Sequence, residues 1–138
     1  AMSAVINSST AMSAVAASST AMSAVAASST AMSAVKNNVS KWTKGLNKQS
    51  GTFYPSKINS LEKVPGTGIY VITKVWDKAS VKDKCTLYSG PDKNIKEFYE
   101  AENTSTSTKG FVAVHSLWMK NTSSYNEMNI NYDLYTGK

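Results

Sequence analysis

Nine carboxylates, one cysteine and one histidine stand beside plentiful Ser, Thr, Lys and Tyr as the chain's groups for acid–base, nucleophilic or metal chemistry. The carboxylates are Glu62, Asp77, Asp83, Asp92, Glu97, Glu100, Glu102, Glu127 and Asp133. Glycoside cleavage needs two carboxyl groups about 5–10 Å apart across a cleft. Glu100 and Glu102 lie two apart and share a face of an extended segment, which is also how a solvent-facing strand edge reads. Asp92 and Asn94 in "GPDKN" supply too few oxygens for a calcium site. Cys85 and His115 together make no metal set. Nothing near Cys85 in sequence supplies a base, so it reads as a small buried strand residue. His115, in "VAVHSLW", reads as partly buried and hydrogen-bonded. A Gly-x-Ser-x-Gly elbow is absent. The expectation is a protein that is not an enzyme and uses neither metal nor cofactor.

Binding chemistry is better represented. Trp76, Tyr88, Phe98, Tyr99, Trp118, Tyr125, Tyr132 and Tyr135 stand among many Asn, Ser and Thr residues. Aromatic faces flanked by amides and hydroxyls suit sugar rings. Trp76, Trp118 and Tyr132 read as core. Tyr125 and Asn126, in the polar loop "NTSSYNEMN" (121–129), are the candidate receptor contacts, with Thr106 in "ENTSTSTKG" (102–110) and Tyr99. The net charge is +6, and every basic residue is lysine. Without Arg forks, and with the lysines scattered among acids, a nucleic-acid partner is not expected. No apolar run is long enough to span a membrane.

These residues must be positioned by two unlike parts. The first 35 residues are uncharged and repeat a decapeptide: "AMSAVINSST", "AMSAVAASST" twice, then "AMSAV". Met2, Val5, Met12, Val15, Met22, Val25, Met32 and Val35 recur at a spacing of three within each copy, which is helical rather than extended. Ten residues do not match a whole number of helical turns, so a straight helix would drift about 80° per copy. The repeat is therefore either an overwound coil or a helix that each "SST" breaks and restarts, since Ser and Thr cap helix N-termini. A β-repeat stack is the remaining alternative. A lone helix would leave Met and Val in water. Parallel copies around an axis would bury them, so the eight residues are expected to form the core of a homotrimeric stalk. Each phrase would add about 15 Å of length, and the chain, which opens in mid-phrase, reads as part of a longer protein.

Beyond the stalk (1–35), "KNNVSKWTKGLNKQSG" and its neighbours (36–52) read as a neck. Residues 53–138 read as a small antiparallel β-sandwich of five strands: 68–76, 84–90, 96–104, 110–121 and 127–137. The stretch 56–64 reads as a short helix or turn. The fold expected is thus α+β and modular, a coiled-coil-like trimeric stalk followed by a β domain.

The decapeptides resemble repeats in tail-fibre and related structural proteins of bacteriophages. "INSLEKVPGTGIYVI" and the closing "NYDLYTGK" resemble, in addition, the knob domains that end such fibres. The resemblance implies a component of a phage or phage-tail-like fibre on the virion. Its partners would be other fibre or tail proteins and a bacterial surface glycan. A purely structural trimerisation joint is the alternative implied.

Overall fold

The computed structural model describes residues 2–77, 82–101, 110–122 and 127–138. Each decapeptide forms its own short helix: α1 (Met2–Ile6), α2 (Ser9–Ala16), α3 (Ser19–Ala26) and α4 (Ser29–Asn37). Ser8, Ser18 and Ser28 stand in extended conformation before α2, α3 and α4, and each hydroxyl accepts the backbone N–H three residues on, at 3.1–3.2 Å. These are N-caps, so the first Ser of "SST" ends one helix and starts the next. Of the two helical readings, the broken helix holds. The chain turns at every cap, and α1 meets α4 as well as α2.

The long trimeric stalk is not formed. The apolar stripe of the repeat packs instead on the β region of the same chain. Met12, Met22, Val25, Met32 and Val35 are buried there, and Met2, Val5 and Val15 are half-buried against the same cluster. Ile69, Val112, Val114 and Tyr135 supply the strand side of that cluster. The reason is geometric. Helices of about two turns that change direction at each cap cannot present one continuous seam to a partner, but they can tile a flat apolar sheet. With the stripe used inside the chain, the argument for a homotrimer built on these eight residues loses its basis.

Residues 36–52, expected as a neck, hold the end of α4, then α5 (Val39–Trp42), a 3-10 turn (Thr43–Gly45) and most of strand β1 (Asn47–Phe53). Trp42 is fully buried, donates its indole N–H to the Val35 carbonyl at 2.8 Å and meets Tyr135 edge-on at 5.4 Å. It locks the helices to the sheet. Two glycines allow close approach to α2. A Cβ on Gly45 would lie 2.5 Å from the Cβ of Ser9, and one on Gly137 would meet the Ser13 carbonyl oxygen.

The remaining strands are β2 (Glu62–Lys63), β3 (Gly68–Asp77), β4 (Asp83–Ser89), β5 (Ile95–Ala101), β6 (Val112–His115), β7 (Leu117–Asn121) and β8 (Met128–Thr136). They form two antiparallel four-stranded sheets, ordered β1-β8-β3-β6 and β2-β7-β4-β5. Residues 110–121, read as one strand, are two strands in different sheets. His115 takes a left-handed φ of 77° and the chain crosses over at Ser116. On β8, Met128, Ile130, Tyr132 and Leu134 face the space between the sheets, as their alternation requires. Three layers result: helices, first sheet, second sheet. The helices meet β6 and β8 of the first sheet.

Candidate ligand-binding surface

Alternation fixes what the far side of the second sheet displays. On β4, Cys85, Leu87 and Ser89 are buried between the sheets, so Thr86 and Tyr88 point outward. On β7, Leu117 and Met119 are buried and Trp118 and Lys120 point outward. On β5, Tyr99 and Ala101 are buried and Lys96, Phe98 and Glu100 point outward. The registers arrange these in rows. Lys63, Trp118, Tyr88 and Lys96 lie side by side across four strands, and Lys120, Thr86 and Phe98 form the next row. Directly opposed residues stand ~4.5–5.5 Å apart and diagonal ones ~7–8 Å, so Tyr88 and Phe98 form one patch.

Three features hold this face in place. The Trp118 indole N–H donates to the Gly90 carbonyl at 2.9 Å. Lys93, held at a φ of 56° in the β4–β5 turn, sets its ammonium 4.3 Å from the centre of the Trp118 ring. The Lys63 ammonium donates to the Gly66 carbonyl at 3.0 Å. Phe98 is 51% exposed, the most open large apolar side chain among the described residues. Glu100 lies 3.4 Å from Lys82 and is thereby offset. Lys63, Lys84, Lys93, Lys96 and Lys120 thus ring a patch of aromatic surface on one sheet. Such a surface can stack on the C–H face of a sugar and draw in anionic groups.

The residues singled out from sequence are placed unevenly. Tyr99 cannot touch a receptor: it is 1% exposed, and its buried hydroxyl lies beside the Glu97 carboxylate on the same face of β5. Burial first, then the Glu97 carboxylate, push its phenol well above the ordinary value. Phe98, its neighbour, is the residue that sequence reasoning missed. The signal was present, because in "KEFYEA" the residues alternating with Phe98 are Lys96 and Glu100. Tyr125, Asn126 and Thr106 lie outside the described residues. Trp118, read as core, is half-buried on the candidate face, and Tyr132, likewise read as core, is half-buried beside the inter-sheet cluster. Trp76 is half-buried on the part of the first sheet beyond the helices, where its N–H donates to Asn131 at 3.0 Å.

The groups considered for chemistry have structural occupations. Cys85 is fully buried, and burial, with the Asp83 carboxylate nearby, pushes its thiol up to about 12. Asp83 is itself buried and accepts the backbone N–H groups of Lys84 and Glu127, each at 2.8 Å, which ties the start of β4 to the approach to β8. His115 shares a hydrogen bond of 2.7 Å with Ser116. Among the described residues no group of three His, Cys, Asp or Glu could hold a metal ion, and no helix is long and apolar enough to cross a membrane. Compared with known proteins, the chain matches no family model and no curated protein.

Proposed function

We propose that the chain is a binding module of a phage or phage-tail-like fibre, and that it attaches the particle to a glycan on a bacterial surface through the outer face of β2-β7-β4-β5. The fibre context is drawn from the likeness of the decapeptides to phage fibre repeats. The attachment role no longer leans on a stalk. The observation that carries it is the aromatic patch of Phe98 and Tyr88 beside the Trp118–Lys93 pair, ringed by lysines. A sugar polymer lying on this face would stack its rings on Tyr88 and Phe98 and meet ammonium groups wherever it carries acid. Bases of single-stranded nucleic acid could stack there too, but the chain has no Arg to grip phosphate in pairs of hydrogen bonds.

Retention of the purified chain on bacterial cell-wall polysaccharide tests the reading. Phe98→Ala combined with Tyr88→Ala should weaken retention about tenfold or more, ~1.4 kcal/mol, with the circular dichroism unchanged. Tighter binding to single-stranded DNA than to any polysaccharide would replace the glycan with nucleic acid. A second reading, a joint that binds no host molecule, is favoured by the way the repeat packs on its own β region. Failure of the folded chain to bind any bacterial polysaccharide would select it.

A further inference from the structure

The decapeptide departs from its own pattern at one telling place. Its sixth position is Ile6, Ala16 and Ala26 in the first three copies, and all three side chains are buried. The fourth copy has Lys36 there, and Lys36 is exposed. It stands at a cavity of about 350 Å³ between α4 and strands β5 and β6. Lys96 and Glu97 of β5 line the same cavity, with Ser33 and Met32 of α4 and with Phe111. Its volume falls in the range of small-ligand sites, ~300–1,000 Å³. Neither Lys36 nor Lys96 forms an ion pair among the described residues. A repeat that elsewhere buries an apolar side chain at this position has here put an exposed ammonium at the rim of a cavity.

We propose that this cavity binds an acidic sugar, its carboxylate on the Lys36 ammonium and its ring in the hollow between α4 and β5, with Lys96 at the rim. The inference rests on the glycan reading above and names the sugar class. Glu97 and the Ser33 hydroxyl are placed to accept from or share hydrogen bonds with the sugar hydroxyls. A neutral sugar would leave the Lys36 ammonium without an anion, and a bare inorganic anion would make no use of the hydroxyl and carboxylate groups that line the cavity. Lys96 lies on the outer face of β5 as well as at the cavity, so a polymer crossing the aromatic face could end in it.

The test is a titration of the full chain with glucuronate and with glucose, followed by calorimetry and by amide shifts. Glucuronate should bind in the millimolar range, at least tenfold more tightly than glucose, and shift Ser33, Lys36 and Lys96. Lys36→Ala restores the residue of the second and third copies, so the fold should be kept while glucuronate affinity falls at least tenfold. Lys41→Ala, at an exposed lysine of α5 away from both the cavity and the aromatic face, should leave glucuronate affinity unchanged. Equal affinity for both sugars, no effect of Lys36→Ala, or inorganic phosphate binding as tightly as glucuronate would each overturn the proposal. Retention of cell-wall polysaccharide through Phe98 without glucuronate binding would sink this inference alone. Loss of polysaccharide retention in every form of the chain would sink the function on which it rests.

Discussion

Two adjacent aromatic residues on β5 have opposite fates, and the period of the strand decides between them. Tyr99 points inward and Phe98 outward. Tyr99→Phe should therefore cost no more than ~1 kcal/mol in urea denaturation, since it keeps the buried ring and removes only the hydroxyl beside Glu97. A loss well above that would mean that the contact with Glu97 stabilises by more than an ordinary hydrogen bond. Phe98→Ala should scarcely change stability, because the side chain is already half in water. Cys85 supports a third prediction at this scale. Its thiol is neutral in both folded and unfolded chain below pH ~9, so it contributes no pH dependence there. Above its ordinary value of 9.0 the unfolded thiol ionises, while the folded one is held neutral to about 12. The unfolded state then releases the proton first, and stability falls as pH climbs through that window. The buried phenols of Tyr70 and Tyr99, both raised, add to the loss above pH ~10. The urea midpoint should be level from pH 7 to 8.5 and drop steadily beyond 9. A flat profile to pH 11 would contradict the burial described, as would alkylation of Cys85 by iodoacetamide in the native chain at pH 8.

At the scale of elements, the repeat shows what a sequence can and cannot disclose. The Met and Val spacing made helices legible, and the "SST" of each phrase made a restart legible, because a hydroxyl can cap only where a helix begins. What the stripe would pack against was not legible. Period and composition describe a face, whereas its partner is chosen by whichever apolar surface lies within reach. Here that surface is Ile69, Val112, Val114 and Tyr135. The strand 110–121 was misread for a related reason. Apolar residues flank His115 and Ser116 on both sides in "FVAVHSLW", and the crossover depends on one left-handed φ at His115, which a histidine adopts only occasionally and which its type alone does not announce. The candidate face was half legible. Its aromatic residues were visible, but without the strand register Trp118 passed for core and Tyr99 for surface. The caps themselves are testable. Ser18→Ala removes the acceptor for the Ala21 N–H and should cost ~1 kcal/mol in thermal or urea unfolding. Met22→Ala, in the buried stripe, should cost ~2–5 kcal/mol. A stalk held only by other chains would make both costs vanish on dilution, whereas costs independent of protein concentration are expected.

For the whole molecule, the decisive question is whether the β region can stand without the repeat. A spacer could be cut away and leave its cargo folded. In the arrangement described, deleting residues 1–35 would bare the outer face of the first sheet: Ile69, Val112, Val114 and Tyr135, with Trp42 losing the Val35 carbonyl that accepts its indole N–H. Each buried aliphatic or aromatic side chain contributes ~1.5–3 kcal/mol, an upper figure because the unfolded chain is not fully extended. Several together match the ~5–15 kcal/mol by which domains of this size are stable at all. The truncated chain is therefore expected to aggregate or to unfold at a much lower urea concentration, and to bind a dye that reports exposed apolar surface. Supplying residues 1–35 as a separate peptide would not restore it efficiently, because helices of five to nine residues do not persist alone in water. Should residues 36–138 instead fold with the midpoint of the full chain, the repeat would be a tether after all. The three-layer packing on which the aromatic face and the Lys36 cavity depend would then need to be redrawn.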